Sequence, residues 1–159
     1  MDVLENIVYP DSELLIQRIE QYGSRDQSKT NVMLGTTKAR VYSPHKHNYD
    51  HYDDYKRWLN SRPFVKSYGI VVDDSHLWGM SYSPDQYTES HNHPKFEVSG
   101  IHFLYADRGC GKLFIGNHEI EPNTNMVVMF PGSAQHWVEK ATNPESRRVC
   151  MVFNISQRL

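Results

Sequence analysis

Nine short segments with a β-type pattern follow one another from residue 64 onward in this 159-residue chain. They are rich in branched and aromatic residues, and clusters of Gly, Pro, Asn and Asp separate them. Gly116-Asn117, between two apolar triplets, is typical of a tight hairpin. Nine short strands with no helices between them predict an antiparallel barrel or sandwich. The segments are 64–72, 76–82, 86–93, 98–105, 112–115, 118–121, 126–130, 136–139 and 148–155.

The residues before this series predict one or two short helices. Apolar residues with helical spacing follow Asp11 and Ser12, either of which suits an N-cap. Gly23 suits the end of this first helix. A second apolar helical face begins at Tyr52, and Pro63 is expected to end that helix.

Composition and charge narrow the function classes. Apolar residues make up 38% of the chain and charged residues 23%, which is a globular composition. The net charge of −2, without a run of Lys and Arg, gives no support for nucleic acid or a membrane surface as a partner. No stretch approaches the roughly 20 apolar residues of a membrane span. We expect one domain over 1–159, with a helical and loop extension at 1–62 that packs on a β core at 63–159.

The first residues of the chain and its cysteines predict an intracellular protein. The first ten residues carry an early acid and no basic flank, so we expect no secretion signal. Cys110 and Cys150 do not make a disulfide framework and are expected to be packed thiols in a reducing compartment. The expected location is therefore the cytoplasm.

Two of the nine histidines have a spacing that suits a metal, and a third could complete the site. His91 and His93 close a predicted strand, where residues i and i+2 face the same side and can reach one ion. His136, which follows the turn at Pro131-Gly132, is the best candidate for a third ligand. Glu97 is a candidate fourth ligand, or a partner that orients the ligands. Imidazole also suits Zn, Cu, Mn and Ni, so the ligands leave the metal open.

The other histidines are expected to be structural or to lie on the surface. One cluster lies in a loop and helix start and is interpreted as polar surface: His45, His47 and His51, beside Asp50, Asp53 and Asp54. Three more are interpreted as structural: His76, His102 and His118.

Five segments stand out, in this order: 77–82 (LWGMSY), 91–94 (HNHP), 99–105 (SGIHFLY), 130–136 (FPGSAQH) and 148–154 (RVCMVFN). Together they resemble the iron(II)/2-oxoglutarate-dependent oxygenase family, above all its small versions in tailed phages, cyanophages among them. The resemblance covers roughly residues 78 to 155, about half the chain. It implies a mainly β fold, the double-stranded β-helix, which is a jelly-roll or cupin-like barrel with a metal at one end.

The resemblance also implies roles by position. His91 and His93 match the first two ligands of an iron(II) ion, and His136 matches the distal ligand. Arg148, 12 residues after His136, matches the basic residue that pairs with the distal carboxylate of 2-oxoglutarate. A guanidinium is a planar, permanently charged fork that suits a carboxylate. Strand alternation lets only one of Arg147 and Arg148 face inward.

Aromatic residues are expected to form the walls of the pocket, and no catalytic residue is expected beyond the metal centre. Trp78, Tyr82 and Tyr105 are the candidate wall residues, and Tyr105 is assigned with Arg148 to cofactor binding. One residue departs from the family pattern. Most members have Asp or Glu where this chain has His93, so its site carries one negative charge less, which changes how it holds iron.

Two alternatives stay open. In the cupin pattern His-x-His-x3-Glu, Glu97 becomes a metal ligand and Arg148 loses its role. In the other alternative the protein is a non-catalytic virion or assembly component of a phage, with the tyrosine-rich segment 49–55 and the first helix as docking surfaces. The expected partners are a small-molecule co-substrate, other phage structural proteins, or a second copy of the chain. A phage protein would lie in the host cytoplasm or in the virion.

Overall fold

The computed structural model describes residues 1–24, 37–42, 50–72 and 76–157. These residues form a mainly β structure with three helices. None of the described helices is long and apolar enough to cross a membrane. The helices are α1 (Ser12–Tyr22), α2 (Asp50–Asn60) and α3 (Pro63–Lys66). The strands are β1 (Asp2–Leu4), β2 (Arg40–Tyr42), β3 (Leu77–Tyr82), β4 (Thr88–His91), β5 (Val98–Ala106), β6 (Leu113–Ile115), β7 (His118–Ile120), β8 (Met126–Pro131), β9 (His136–Val138) and β10 (Arg148–Ile155).

Two antiparallel sheets enclose the inner core. The larger sheet has six strands in the order β1-β8-β5-β10-β3-β2, and the smaller has four in the order β4-β9-β6-β7. Buried side chains from both sheets, such as Trp78 and Ile101 from the larger and Leu113 and Val138 from the smaller, belong to one apolar cluster. This architecture is the double-stranded β-helix predicted from the sequence.

Strand β10 lies at the centre of the larger sheet and is buried along its whole length. Its side chains alternate, so Cys150 and Val152 belong to the inner cluster, whereas Met151 and Phe153 belong to a second cluster on the outer face. A strand that is covered on both faces carries apolar residues at nearly every position. The continuous apolar run of β10 therefore reflects helices on one side and the smaller sheet on the other.

Helices α1 and α2 cover this outer face. The first buries Leu15 and Ile19, and the second buries Tyr52 and Tyr55. A Cβ atom at Gly79 in β3 would lie 2.8 Å from the Ile19 side chain, so a larger residue there would have to displace that side chain. Tyr52 and Tyr55 are buried against the sheet, so neither contributes to the exposed docking surface predicted as an alternative for the segment 49–55. Residue 49 lies outside the described residues.

The N-terminal third also extends the larger sheet at both edges. Strand β1 pairs with β8, and β2 pairs with β3. Just before β2, Lys38 donates a backbone hydrogen bond to Tyr87 (2.8 Å), and Thr37 forms a bridge with Thr88 of β4. The stretch 37–42 therefore connects the two sheets, a contribution that the prediction of a packed extension did not include.

Eight of the nine predicted strand segments contain strands, and the segment 64–72 does not. Pro63 does not end α2, which ends at Asn60, but begins α3. Proline suits the first helical turn because that turn leaves its N–H groups unpaired anyway. The first helix begins after Asp11 and ends at Gly23, as predicted, but the Asp11 side chain makes no capping hydrogen bond.

Candidate metal centre and anion pocket

Three imidazoles converge where β4 and β9 meet. His91 ends β4 and pairs directly with His136, which begins β9. His93 lies two residues beyond β4, in the turn towards β5. The ring centroids are 4.1 Å apart for His91 and His136, 5.0 Å for His91 and His93, and 5.2 Å for His93 and His136. The structure thus brings together all three of the predicted metal ligands.

The two turns that carry the ligands are held together by backbone hydrogen bonds. The N–H of His93 donates to the carbonyl of Gly132 (2.7 Å), and the N–H of Gly132 donates to the carbonyl of Glu97 (3.1 Å). A side chain at Gly132 would overlap the Phe96 carbonyl and lie 2.6 Å from the His93 carbonyl. Glycine is therefore required where the loop before β9 approaches the His93 turn.

The surroundings prepare the imidazoles to bind a metal. Nδ1 of His91 donates to the Glu89 carbonyl (2.8 Å) and Nδ1 of His136 donates to the Ala134 carbonyl (3.0 Å), which leaves each Nε2 with a free lone pair. Burial lowers the pKa of His93 to about 4 and that of His136 to about 3, and it also lowers the pKa of His91. At neutral pH all three rings are uncharged, the form that binds metal.

The donor set fits a divalent metal. One nitrogen from each ring lies within 4.8 Å of the others. A metal with bonds of about 2.1 Å holds its nitrogens roughly 3 to 3.5 Å apart, so the rings need only a small inward shift. Nε2 of His93 is buried without a hydrogen-bond partner, as expected for a nitrogen whose partner is an ion. Imidazole suits iron as well as other transition metals.

Arg148 is buried in the inner core at 1% exposure. Its guanidinium lies 5.2 Å from the centroid of the Tyr82 ring and 5.6 Å from that of Phe103. Nη2 donates to the Gly111 carbonyl, but Nε and Nη1 have no hydrogen-bond partner. No carboxylate among the described residues forms an ion pair with Arg148. A buried cation with unpaired donors is costly, so this group calls for an anionic ligand.

One pocket contains both features. His91, His136 and Arg148 line it, as do Trp78 and Tyr82, which were predicted as wall residues. Burial raises the pKa of Tyr82 and of Cys150 to about 12, so both remain neutral. The remaining lining residues are mostly apolar: Met80, Thr88, Ile101, Phe103, Val138, Cys150 and Val152. Sequence reasoning missed Thr88 and treated Cys150 only as a packed thiol.

The structure does not bring Tyr105 to this pocket. A β-bulge between β5 and β10 lets Val149 pair with Tyr105 but Cys150 pair with Phe103. The extra residue reverses the alternation, so Tyr105 lies on the outer face with Val149 and not on the inner face with Phe103. There its hydroxyl donates to Asp107, and the guanidinium of Arg147 lies 4.2 Å from its ring centroid. The geometry therefore gives no support to its assignment to cofactor binding.

The choice between the two arginines follows the predicted alternation. Arg148 faces the inner core, whereas Arg147 is exposed and forms an ion pair with Glu20 at 3.5 Å. Glu97, the candidate fourth ligand, is also exposed, and its Oε2 accepts a hydrogen bond from Gln157 at 2.6 Å. Among the described residues, the metal-ligating group contains three histidines and no carboxylate. The cupin assignment of Glu97 therefore finds no support in the geometry.

Of the histidines that the structure describes, no others belong to the metal-ligating group. His102 is fully buried and lies between the Tyr55 hydroxyl (2.9 Å) and the Ile7 carbonyl (2.7 Å), a structural position. His118 is exposed at the hairpin, and the His76 ring packs against Phe96. His45 and His47 lie outside the described residues.

Comparison with solved structures decides the fold assignment. A prolyl-4-hydroxylase of Pseudomonas putida matches 99% of this chain and 92% of its own, with a TM-score of 0.67 and 14% identity. The chain has the fold of the iron(II)/2-oxoglutarate oxygenases. A prolyl hydroxylase of Trichoplax adhaerens, solved with a hypoxia-inducible-factor peptide, matches 97% of this chain and 82% of its own, with a TM-score of 0.66 and 12% identity.

A third oxygenase of this fold comes from Burkholderia pseudomallei. This 2OG-Fe(II) oxygenase family member matches 78% of the chain and 70% of its own, with a TM-score of 0.60 and 13% identity. No protein-family model matches the sequence, and neither does any curated protein. The structural likeness extends over the N-terminal third, which contributed nothing to the resemblance in sequence.

Proposed function

We propose that the protein is an iron(II)/2-oxoglutarate-dependent oxygenase that hydroxylates a C–H bond in a protein or small-molecule substrate. One observation carries the proposal: a pocket that contains metal-competent imidazoles also contains a buried cation whose donors lack partners. Metal ligands alone would support many functions, and so would the fold. The two features together match a co-substrate that carries one group for a metal and a second, distal carboxylate.

The chain's own residues would position the reactants. His91, His93 and His136 would hold the iron through neutral nitrogens, and the backbone carbonyls at Glu89 and Ala134 fix two of the rings. Arg148 would pair with the distal carboxylate of 2-oxoglutarate, as a charged fork in a site from which water is excluded. The apolar walls would keep bulk water away from the reacting atoms.

The balanced reaction defines the assay. With iron bound, 2-oxoglutarate and O₂ would yield succinate and CO₂, with one oxygen atom entering the succinate and the other converting a substrate C–H bond to C–OH. Two structural neighbours are prolyl hydroxylases, so proline-containing peptides are one class to test beside small molecules. The phage origin implied by the sequence resemblance stays a prediction.

The decisive experiment measures succinate formed from 2-oxoglutarate with Fe(II) and O₂, together with the binding of 2-oxoglutarate to the metal-loaded protein. We expect His136→Ala to abolish both, whereas His118→Ala, at an exposed histidine, should leave both unchanged. Absence of 2-oxoglutarate binding in the metal-loaded wild type, together with no succinate in the presence of candidate substrates, would refute the proposal.

A further inference from the structure

His93 changes the charge of the candidate metal centre. In a two-His-one-carboxylate site, the carboxylate cancels one of the two charges of a divalent ion. Three neutral imidazoles cancel none. His93 stands at the position of that carboxylate, and its ring centroid lies 5.0 and 5.2 Å from those of His91 and His136. The ion in this site would therefore keep its full charge.

The other described residues of the pocket add a further positive charge and no negative one. Arg148 lines the pocket, and none of its described lining residues is Asp or Glu. A divalent ion and a guanidinium would together place three positive charges in mostly apolar surroundings. Like charges in such surroundings repel strongly, and each is costly to desolvate. Metal binding alone is thus opposed by Arg148 and by the lack of a carboxylate.

The hydrogen-bonding groups of the pocket show what would compensate. Nε and Nη1 of Arg148 are buried without partners, and so is Nε1 of Trp78, which also lines the pocket. All three are donors. A dicarboxylate supplies only acceptors and carries two negative charges, so it satisfies the donors and lowers the net charge from three to one.

We infer that His93 makes metal binding depend on a dianionic co-ligand, so that the ion and a dicarboxylate raise each other's affinity in this pocket. The inference rests on the proposed function, since it takes a divalent metal and 2-oxoglutarate as the ligands. Thermodynamic linkage requires the effect to be reciprocal. Coupling between two ligands commonly reaches about 5- to 150-fold, and we expect about 10- to 100-fold here.

The test is a set of titrations of the full-length protein with Co(II), followed by calorimetry and visible absorption. They are run without co-ligand, with saturating 2-oxoglutarate, and with 2-oxovalerate, a 2-oxo acid that lacks the distal carboxylate. For the wild type we expect the Kd for Co(II) to fall about 10- to 100-fold with 2-oxoglutarate and clearly less with 2-oxovalerate.

His93→Asp supplies the matched variant, because it restores a negative ligand at the same position. It should bind Co(II) more tightly than the wild type when no co-ligand is present, and 2-oxoglutarate should then improve binding by a smaller factor. Circular dichroism checks that the variant folds. If it does not fold, the wild-type comparison of the two oxo acids still tests the coupling.

The outcomes separate the inference from the proposed function. If Co(II) and 2-oxoglutarate both bind the wild type but independently of each other, the inference is wrong and the proposed function stands. An equal coupling factor in folded His93→Asp would also overturn the role of His93. If neither Co(II) nor 2-oxoglutarate binds, singly or together, the proposed function itself fails.

Discussion

Replacing Arg148 by Met should make the ligand-free protein more stable and should strongly weaken its binding of 2-oxoglutarate. Met has an unbranched stem of similar length, so it can fill most of the same space without the charge. The guanidinium is buried, and two of its nitrogen groups have no partner. In the absence of a ligand, this charge opposes folding, and the substitution removes it.

The expected change in the free energy of unfolding follows from the contacts at Arg148. The variant loses a charge-assisted hydrogen bond to Gly111, about 1.5–3 kcal/mol, and two buried ring contacts of about 2 kcal/mol each. It is relieved of a desolvated charge that costs several kcal/mol, and of unpaired donors that cost about 1–3 kcal/mol each. We expect a net gain of about 1–4 kcal/mol, or roughly 2–15 °C in Tm for a domain of this size.

Thermal denaturation with and without 2-oxoglutarate provides the assay. In the metal-loaded wild type, 2-oxoglutarate at about 100 times its Kd should stabilise the fold by about 2.7 kcal/mol, whereas Arg148→Met at the same concentration should gain less than about 1 kcal/mol. Loss of a buried charged contact should weaken 2-oxoglutarate binding by at least about 30-fold. Arg147→Met is the control, because that arginine is exposed and its ion pair with Glu20 contributes at most about 1 kcal/mol.

Two results would refute this reasoning. If Arg148→Met lowers Tm in the absence of ligand, the guanidinium is a structural group that the protein needs for folding. If the variant binds 2-oxoglutarate as tightly as the wild type, Arg148 does not recognise the co-substrate, whatever its effect on stability.

Three further predictions test the surroundings of the site. Gly132→Ala should weaken Co(II) binding by about 10- to 100-fold, because the added methyl group pushes the His93 turn away. His118→Ala, at an exposed position of the hairpin, is the control, and equal Co(II) affinities in the two variants would contradict the argument. Glu97→Gln should leave Co(II) affinity within about twofold by calorimetry, whereas the cupin assignment requires a large loss. Burial lowers the pKa of His102 to about 4, whereas an unfolded chain has a histidine pKa of about 6.5. As the pH drops from about 6.5 to 4, the unfolded state binds a proton that the folded state does not, so the free energy of unfolding falls. In His102→Gln, the free energy of unfolding, measured by urea denaturation at pH 7, 5.5 and 4.5, should fall less steeply with pH. A pH dependence equal to that of the wild type would contradict this prediction.

The candidate site was largely predictable from the sequence because its ligands obey short-range rules. His91 and His93 are two residues apart near a strand end, and the choice of Arg148 over Arg147 follows from strand alternation. Tyr105 fails the same rule because the bulge beside it adds one residue to β5. No particular residue type marks the extra residue of this bulge in the sequence. The outward orientation of Tyr105 is therefore visible only in the pairing of β5 with β10.

The fold was less predictable where elements are short. Strands β1 and β2 have three residues each, too few to show a period of two. The apolar run at 64–72 looks like a strand, but Pro63 begins a helix there instead. Such short runs are decided by what packs against them and not by their own pattern.

The stretch 37–42 affects how readily copies of the protein could associate. Strand β4 is an edge strand of the smaller sheet, and the unpaired border of an edge strand can pair with a strand of another molecule. Thr37 and Lys38 occupy that border at Thr88 and Tyr87, and the Thr37 and Thr88 hydroxyls lie 2.7 Å apart. The Thr88 end of the strand that presents His91 is thereby shielded from intermolecular pairing, so aggregation through this end of the border would have to displace these contacts first.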